Sequence, residues 1–106
     1  MSLINDKLDE FKERIANPSS MAGTTAIFQF ILEGEEGGNY YVAFTDGAGE
    51  LNEGLAENSD VVLTASTKDF IALKDGKLSP IMAFMGGKIK IKGDMALAMK
   101  LQGMLG

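Results

Sequence analysis

The chain has 106 residues, enough for one domain that buries roughly two thirds of its unfolded surface. It has no cysteine and no histidine, which excludes a disulfide frame, thiol catalysis, a structural zinc site and imidazole acid–base chemistry. Net charge is −5 but polarised: residues 1–86 carry six Lys/Arg against fourteen Asp/Glu, and residues 87–106 carry four lysines against Asp94 alone. An acidic chain of this kind is a poor nucleic-acid binder, because neutralising phosphate supplies most of that affinity.

Ile4, Leu8, Phe11 and Ile15 recur at helical spacing between Asp6, Asp9, Glu10 and Glu13. This predicts an amphipathic helix of about 13 residues that Asn17-Pro18 ends. The opening text "MSLINDKLDEFKERI" is too acidic for a secretory signal or transit peptide, and the closing "GMLG" is no address signal. With absent cysteines, this leads to the expectation of a cytoplasmic protein. No apolar run exceeds the five residues of Ile81–Met85, too short to span a bilayer.

"SSMAGTT" (19–25) reads as a linker to a first strand over 24–33, with Ala26, Phe28, Phe30 and Leu32 on one face. "GEEGG" closes a hairpin to "NYYVAFTD", and Asp46-Gly47 signals a second tight turn into a weak polar strand near Glu50–Glu53. "VVLTAS" (61–66) is a short buried strand. Thr67 is placed to cap a helix ending at Gly76, and Ser79-Pro80 to open a short helix, "IMAFM". Lys88–Lys92 alternate with Ile89 and Ile91 as a fifth strand, and Asp94 caps a final helix. The order predicts an α+β fold, one mostly antiparallel sheet with its helices gathered on one face.

Catalytic signatures are absent. Asp46-Gly47-Ala48-Gly49-Glu50 fails as a calcium loop, since Ala48 and Leu51 stand where a ligand and a glycine are needed. Gly47-Ala48-Gly49 fails as a dinucleotide fingerprint at Asn52. The carboxylates fall in turns or on polar faces, where solvated side chains are the preferred reading over a paired acid–base site.

What remains is apolar. Five of the seven methionines (Met82, Met85, Met95, Met99, Met104) crowd residues 82–104. Two readings stand: gap-filling in a core, or an adaptable surface for a ligand of variable shape. From Met95 to Leu105 only Lys100 and Gln102 are polar, whereas a surface helix leaves about half its circumference to water. One apolar stripe can pack on the sheet. The second needs another helix, a bound apolar molecule, a partner or a membrane surface. Gln102 would either orient a ligand head group or face solvent beside Lys100. Lys88, Lys90 and Lys92 share one strand face; a solvated or guarded edge is preferred over transient contact with an anionic membrane.

"GKIKIKGDMALAMKLQGML" (87–105) closely resembles the C-terminal signature of sterol carrier protein 2 domains: a Lys/Ile strand, a glycine turn and a "MALAMKLQ"-like helix. "SDVVLTAS" (59–66) and "DFIALKDGKLSPIMAFMGGKIKIKG" (69–93) extend the resemblance. It implies a single domain over 1–106, a five-stranded, mostly antiparallel sheet with about four helices on one face enclosing an apolar tunnel. It also implies binding and transfer of a fatty acid, fatty acyl-CoA, phospholipid or sterol, without catalysis, cofactor or metal. Phe70, Leu73, Met82, Phe84, Met85, Ile89, Ile91, Met95, Met99, Gln102 and Leu105 fall in the segments that line the family's tunnel. The small acidic chain is similar to stand-alone prokaryotic members, expected as a monomer or weak dimer. The alternative function is an accessory or protein-interaction module presenting acyl substrates to an acyl-CoA-using enzyme.

Overall fold

Phe11 and Ile15 lie one turn apart on a largely charged helix, and both are fully buried. They hold this helix, α1 (Leu3–Ile15), against the rest of the molecule. The computed structural model describes the backbone of residues 3–34 and 37–105, and the side chains of 9–34 and 37–101. The Ile4 and Leu8 side chains and the Glu35-Glu36 turn lie outside the described residues.

Among the described residues the order is α1, a 3-10 turn (Ser19–Met21), strands β1 (Ala26–Glu33), β2 (Gly38–Thr45), β3 (Ala48–Glu53) and β4 (Val61–Ser66), helices α2 (Thr67–Lys74) and α3 (Pro80–Met85), strand β5 (Ile89–Gly93) and helix α4 (Met95–Leu105). The expected α+β fold is present: the strands form one sheet in the order β3-β2-β1-β4-β5. Three of its four pairings are antiparallel, and β1 with β4 is parallel.

Strand alternation decides the layers. Phe28 sits between Val42 and Val61, and Phe30 between Tyr40 and Leu63, so their side chains share one inner face. The helices cover that face. Phe11 of α1 meets Phe30 of β1 and Phe70 of α2 edge-on, at centroid distances of 5.8 and 5.4 Å. Such T-shaped pairs add about 0.5–1.5 kcal/mol beyond area burial.

Two local devices set the meander. Asp46 and Gly47 both have positive φ (51° and 90°), as a two-residue type I′ turn requires. Gly49 is needed where α1 ends: a Cβ there would lie 2.5 Å from the Ile15 carbonyl oxygen.

The crossover 54–60 carries the chain from β3 past β2 and β1 to β4. Glu53 stands level with Phe30 through Tyr40, and Val61 level with Phe28, so the crossover steps back by two residues only. Gln29 lies between those levels on the outer face. It is 3% exposed; its amide nitrogen donates to the Tyr40 and Gly54 carbonyls (both 3.0 Å), and its oxygen accepts from the Ala56 N–H (2.8 Å). A buried amide satisfied on both atoms ties the crossover to the sheet.

Two expectations change in detail. The segment 19–25 is more than a linker, because Met21 is completely buried and the 3-10 turn packs against α4. The cap of α2 is Ser66, whose hydroxyl accepts from the Asp69 N–H (3.0 Å), and Thr67 is the first helical residue. The chain leaves β4 extended at Ser66, which is the backbone conformation an N-cap needs.

Candidate functional site

Ser79 opens α3 by accepting the Met82 N–H, with Pro80 at the first helical position where no N–H is required. Only six residues later the helix stops. Gly87, at φ 76°, reverses the chain, and the Lys88 N–H donates to the Ala83 carbonyl (2.9 Å). The chain therefore enters β5 directly beside α3. At the far end of β5, Asp94 donates its N–H to the Asp60 carbonyl (3.0 Å) and accepts the Ala96 and Leu97 N–H groups (2.9 and 3.2 Å). This cap begins α4 at the edge of the sheet. Lys100 Nζ donates to Thr24 Oγ1 (3.1 Å), fastening α4 to the segment after the 3-10 turn.

Between α3 and α4 lies an apolar cleft of about 240 Å³. Leu63 of β4, with Ile89 and Ile91 of β5, forms its floor, and Leu63 and Ile91 are direct partners across the ladder. Pro80, Ile81 and Phe84 form one wall; Met95, Ala98, Met99 and Leu101 form the other. Ala98 and Leu101 are buried, whereas Phe84, Met95 and Met99 are 45%, 51% and 67% exposed. The space is thus a cleft with one open side, its rim formed by flexible side chains.

The C-terminal helix is apolar on two sides for two reasons. Ala98 and Leu101, with half-buried Leu97, pack on the body of the protein. Met95 and Met99 border the cleft from its open side.

Of the residues singled out from sequence, Phe84, Ile89, Ile91, Met95 and Met99 come together here. Phe70 and Leu73 do not line the cleft; they are 1% and 0% exposed in the core, with Phe70 edge-on to Phe11 and Phe30. Met82 and Met85 point out of α3 into solvent and lie outside the lining. The side chains of Gln102 and Leu105 lie outside the described residues. Sequence reasoning missed Leu63, Pro80, Ala98 and Leu101 as lining. Leu63 carried no such signal, because its pairing with Ile91 appears only once β4 is placed, whereas Ala98 and Leu101 were legible through their spacing from Met95.

Among the described residues, every one that lines the cleft is apolar. The cleft can strip water from an apolar guest, and none of its described lining residues carries a group that exchanges a proton at neutral pH. Among the described residues, no cluster of three or more Asp/Glu/His/Cys is arranged to hold a metal ion. Among the described residues the most buried charge lies elsewhere: Lys74, 4% exposed, pairs with Glu10 of α1 and with Asp75 (3.0 Å), and its carbonyl accepts from Arg14 Nη1 (2.7 Å). That cluster joins α1 to α2 and contributes no residue to the cleft lining. Lys90 and Lys92 pair with Thr64 and Val62, so they occupy the sheet face opposite Ile89 and Ile91.

Residues 4–106 match the SCP-2 sterol transfer family. The chain belongs to this family. Among curated relatives, hydroxysteroid dehydrogenase-like protein 2 of Xenopus tropicalis is 44% identical over 95 residues, which is 89% of this chain and 23% of that protein. The human protein of the same name is 46% identical over 80 residues, 74% of this chain and 19% of that one. The chain thus spans about a quarter or less of the curated relatives it matches. Among solved structures, the sterol carrier protein domain 2 of Helicoverpa armigera is 30% identical with a TM-score of 0.65, over 96% of this chain and 76% of that one. Palmitated SCP2L2 of Aedes aegypti shares the fold at a TM-score of 0.80 and 24% identity, over 99% and 95%. As an SCP-2 domain the chain is a lipid-binding and transfer module. Among the described residues no helix is long and apolar enough to cross a membrane.

Proposed function

We propose that the chain carries a single-chain lipid, a fatty acid or fatty acyl thioester, with the acyl chain in the cleft between α3, α4 and β5. A sterol or phospholipid is the broader ligand class of the same reading. The observation that carries it is a cleft open on one side whose described lining residues are all apolar. With no polar group among the described lining residues, recognition falls on the acyl chain and the head group stays at the rim. Each buried methylene contributes about 0.8 kcal/mol, so affinity follows chain length more than head-group chemistry. Phe84, Ile89, Ile91, Met95 and Met99 are the proposed contacts among the residues expected from sequence. The domain itself is non-catalytic in this reading, works as a single unit over 1–106, monomeric or weakly dimeric, and meets anionic membranes transiently through Lys88, Lys90 and Lys92. The absence of cysteine suits a cytoplasmic setting.

A second reading is favoured by one finding. The matched relatives bear a dehydrogenase-like name, and the matched segment is 23% of the Xenopus tropicalis protein. In such an arrangement the domain delivers a lipid substrate to an acyl-CoA-using or steroid-oxidising enzyme.

Native mass spectrometry of gently purified protein, with organic extraction and lipid identification, tests the first reading. One acyl lipid per chain supports it. An apo mass that also takes up neither fatty acid nor acyl-CoA contradicts it. Stimulation of a lipid dehydrogenase by the chain added separately, with no bound lipid retained, favours the second reading.

A further inference from the structure

Met95 and Met99 stand one turn apart on α4, and among the described residues they bring the only sulfur atoms to the cleft lining. Every other described lining side chain is plain hydrocarbon, from Leu63 and Ile91 on the floor to Phe84 on the facing wall. For an inert apolar guest, leucine or isoleucine would serve as well. The thioether adds one property that those side chains lack: it gives up two electrons to a peroxide, and the sulfoxide formed can be reduced back. Both sulfurs border the open side, on side chains that are 51% and 67% exposed.

The molecule carries its own comparison. Met82 and Met85 on α3 are 67% and 77% exposed and line no part of the cleft. A small water-soluble oxidant therefore reaches them at least as easily as Met95 and Met99. Only an oxidant that enters the cleft reverses that order. A lipid hydroperoxide is such an oxidant, because it is an acyl chain that carries a reactive O–O bond. Its apolar length fits the hydrocarbon lining, whereas its hydroperoxide group has no partner there and belongs on the open side. That side is where the two sulfurs lie, and a thioether is a weak hydrogen-bond acceptor.

We propose that the cleft reduces lipid hydroperoxides to lipid alcohols at Met95 and Met99, once at each sulfur. A sulfur lone pair attacks the terminal peroxide oxygen; the S–O bond forms as the O–O bond breaks, and the alkoxide leaves. The proton of the transferred hydroxyl passes to that alkoxide, directly or through water at the rim, which yields an alcohol and a methionine sulfoxide. Sulfur gives up the two electrons that the peroxide accepts, so no other reductant enters the step. Holding the peroxide against the sulfur replaces a bimolecular encounter with a step inside the complex. The sulfoxide makes the wall polar, which loosens the hold on the product and ends the reaction until the sulfoxide is itself reduced. The inference rests on the acyl-chain reading of the cleft and adds to it a class of cargo and a reaction.

The test sets the hydroperoxide of linoleic acid against hydrogen peroxide at equal concentration, with a chelator present to stop metal-driven peroxide breakdown. Binding is established first, by displacement of a fluorescent fatty acid, and peptide mass spectrometry then follows each methionine. Hydrogen peroxide is expected to oxidise Met82 and Met85 at least as fast as Met95 and Met99. The lipid hydroperoxide is expected to oxidise Met95 and Met99 about tenfold faster than Met82 and Met85, with one hydroxy fatty acid released for each sulfoxide formed. Excess palmitic acid should abolish that preference. Met95→Leu with Met99→Leu should lose alcohol formation, counted per lipid bound, whereas Met82→Leu with Met85→Leu should keep it, because neither of those residues lines the cleft. The proposal is overturned if the bound hydroperoxide oxidises all four methionines alike, or if the Met95→Leu, Met99→Leu variant still makes the alcohol. Lipid binding stands in both of those outcomes. Absence of any fatty-acid binding would contradict the cargo reading itself and take the proposal with it.

Discussion

Ala98→Leu tests whether the space between α3 and α4 is a binding volume. Ala98 is buried and borders the cleft, so three added carbon atoms have the void as their nearest free space. Taking about 30 Å³ per methylene, close to the volume of a water molecule in the liquid, the roughly 240 Å³ present holds about eight methylenes. The leucine removes the room of about three. At about 0.8 kcal/mol each, the loss is about 2.4 kcal/mol, or about fiftyfold in affinity for a chain that fills the cleft. The assay is displacement of a fluorescent fatty acid by a homologous series of fatty acids. In the native chain, affinity should rise about fourfold per methylene and flatten near the eighth. In the variant the plateau should come about three carbons earlier, and thermal stability should hold or rise because a void has been filled. Unchanged affinity, or a loss of about 1–3 kcal/mol in stability from overpacking, would show that Ala98 faces no usable space and would refute the reasoning.

Gln29→Ala strips the crossover of its anchor and leaves the Ala56 N–H and Gly54 carbonyl without that partner; unfolding by urea should show a loss of about 1–3 kcal/mol, with faster amide exchange over 54–60. Lys74→Met keeps much of the volume but leaves Glu10 and Asp75 without their shared cation. Because the Glu10 side chain is already 57% exposed and can rehydrate, the cost should be about 1–2 kcal/mol, short of that for breaking a fully buried pair. Dilute hydrogen peroxide should convert Met82, Met85, Met95 and Met99 to sulfoxides well before Met21, which is completely buried; peptide mass spectrometry reads the order, and fatty-acid uptake should fall as Met95 and Met99 turn polar.

Much of the fold was legible because its signals are local. Asn17-Pro18, Asp46-Gly47, Ser79-Pro80 and Asp94 each act through their own backbone neighbourhood, and each stands at the boundary its chemistry predicts. The place of β4 was not legible. "VVLTAS" reads as a buried strand, but its parallel seat beside β1 depends on a crossover that Gln29 pins from the far face. Met21 was missed because a glycine- and serine-rich segment hides one core side chain behind loop chemistry.

The site divides along the same line. Ile89, Ile91, Met95 and Met99 follow from a period-2 strand and a helical stripe that turn toward each other across Gly93 and Asp94. Phe70 and Leu73 are as apolar as any lining residue, yet hydrophobicity alone does not separate a cleft wall from the core beneath it. On a helix as short as α3, periodicity carries too few turns to say that Ala83 faces in, Ile81 and Phe84 face the cleft, and Met82 and Met85 face out.

The central claim is that an acyl chain lies between α3, α4 and β5, and the methionines are native probes of it. With ¹³C-methyl-labelled methionine, fatty acid added to one equivalent should shift the Met95 and Met99 methyl signals strongly. Met21, sealed in the core, should hardly move. A saturable response confined to Met95 and Met99 is the predicted result. Saturable binding that leaves both unmoved would place the lipid elsewhere and contradict the account.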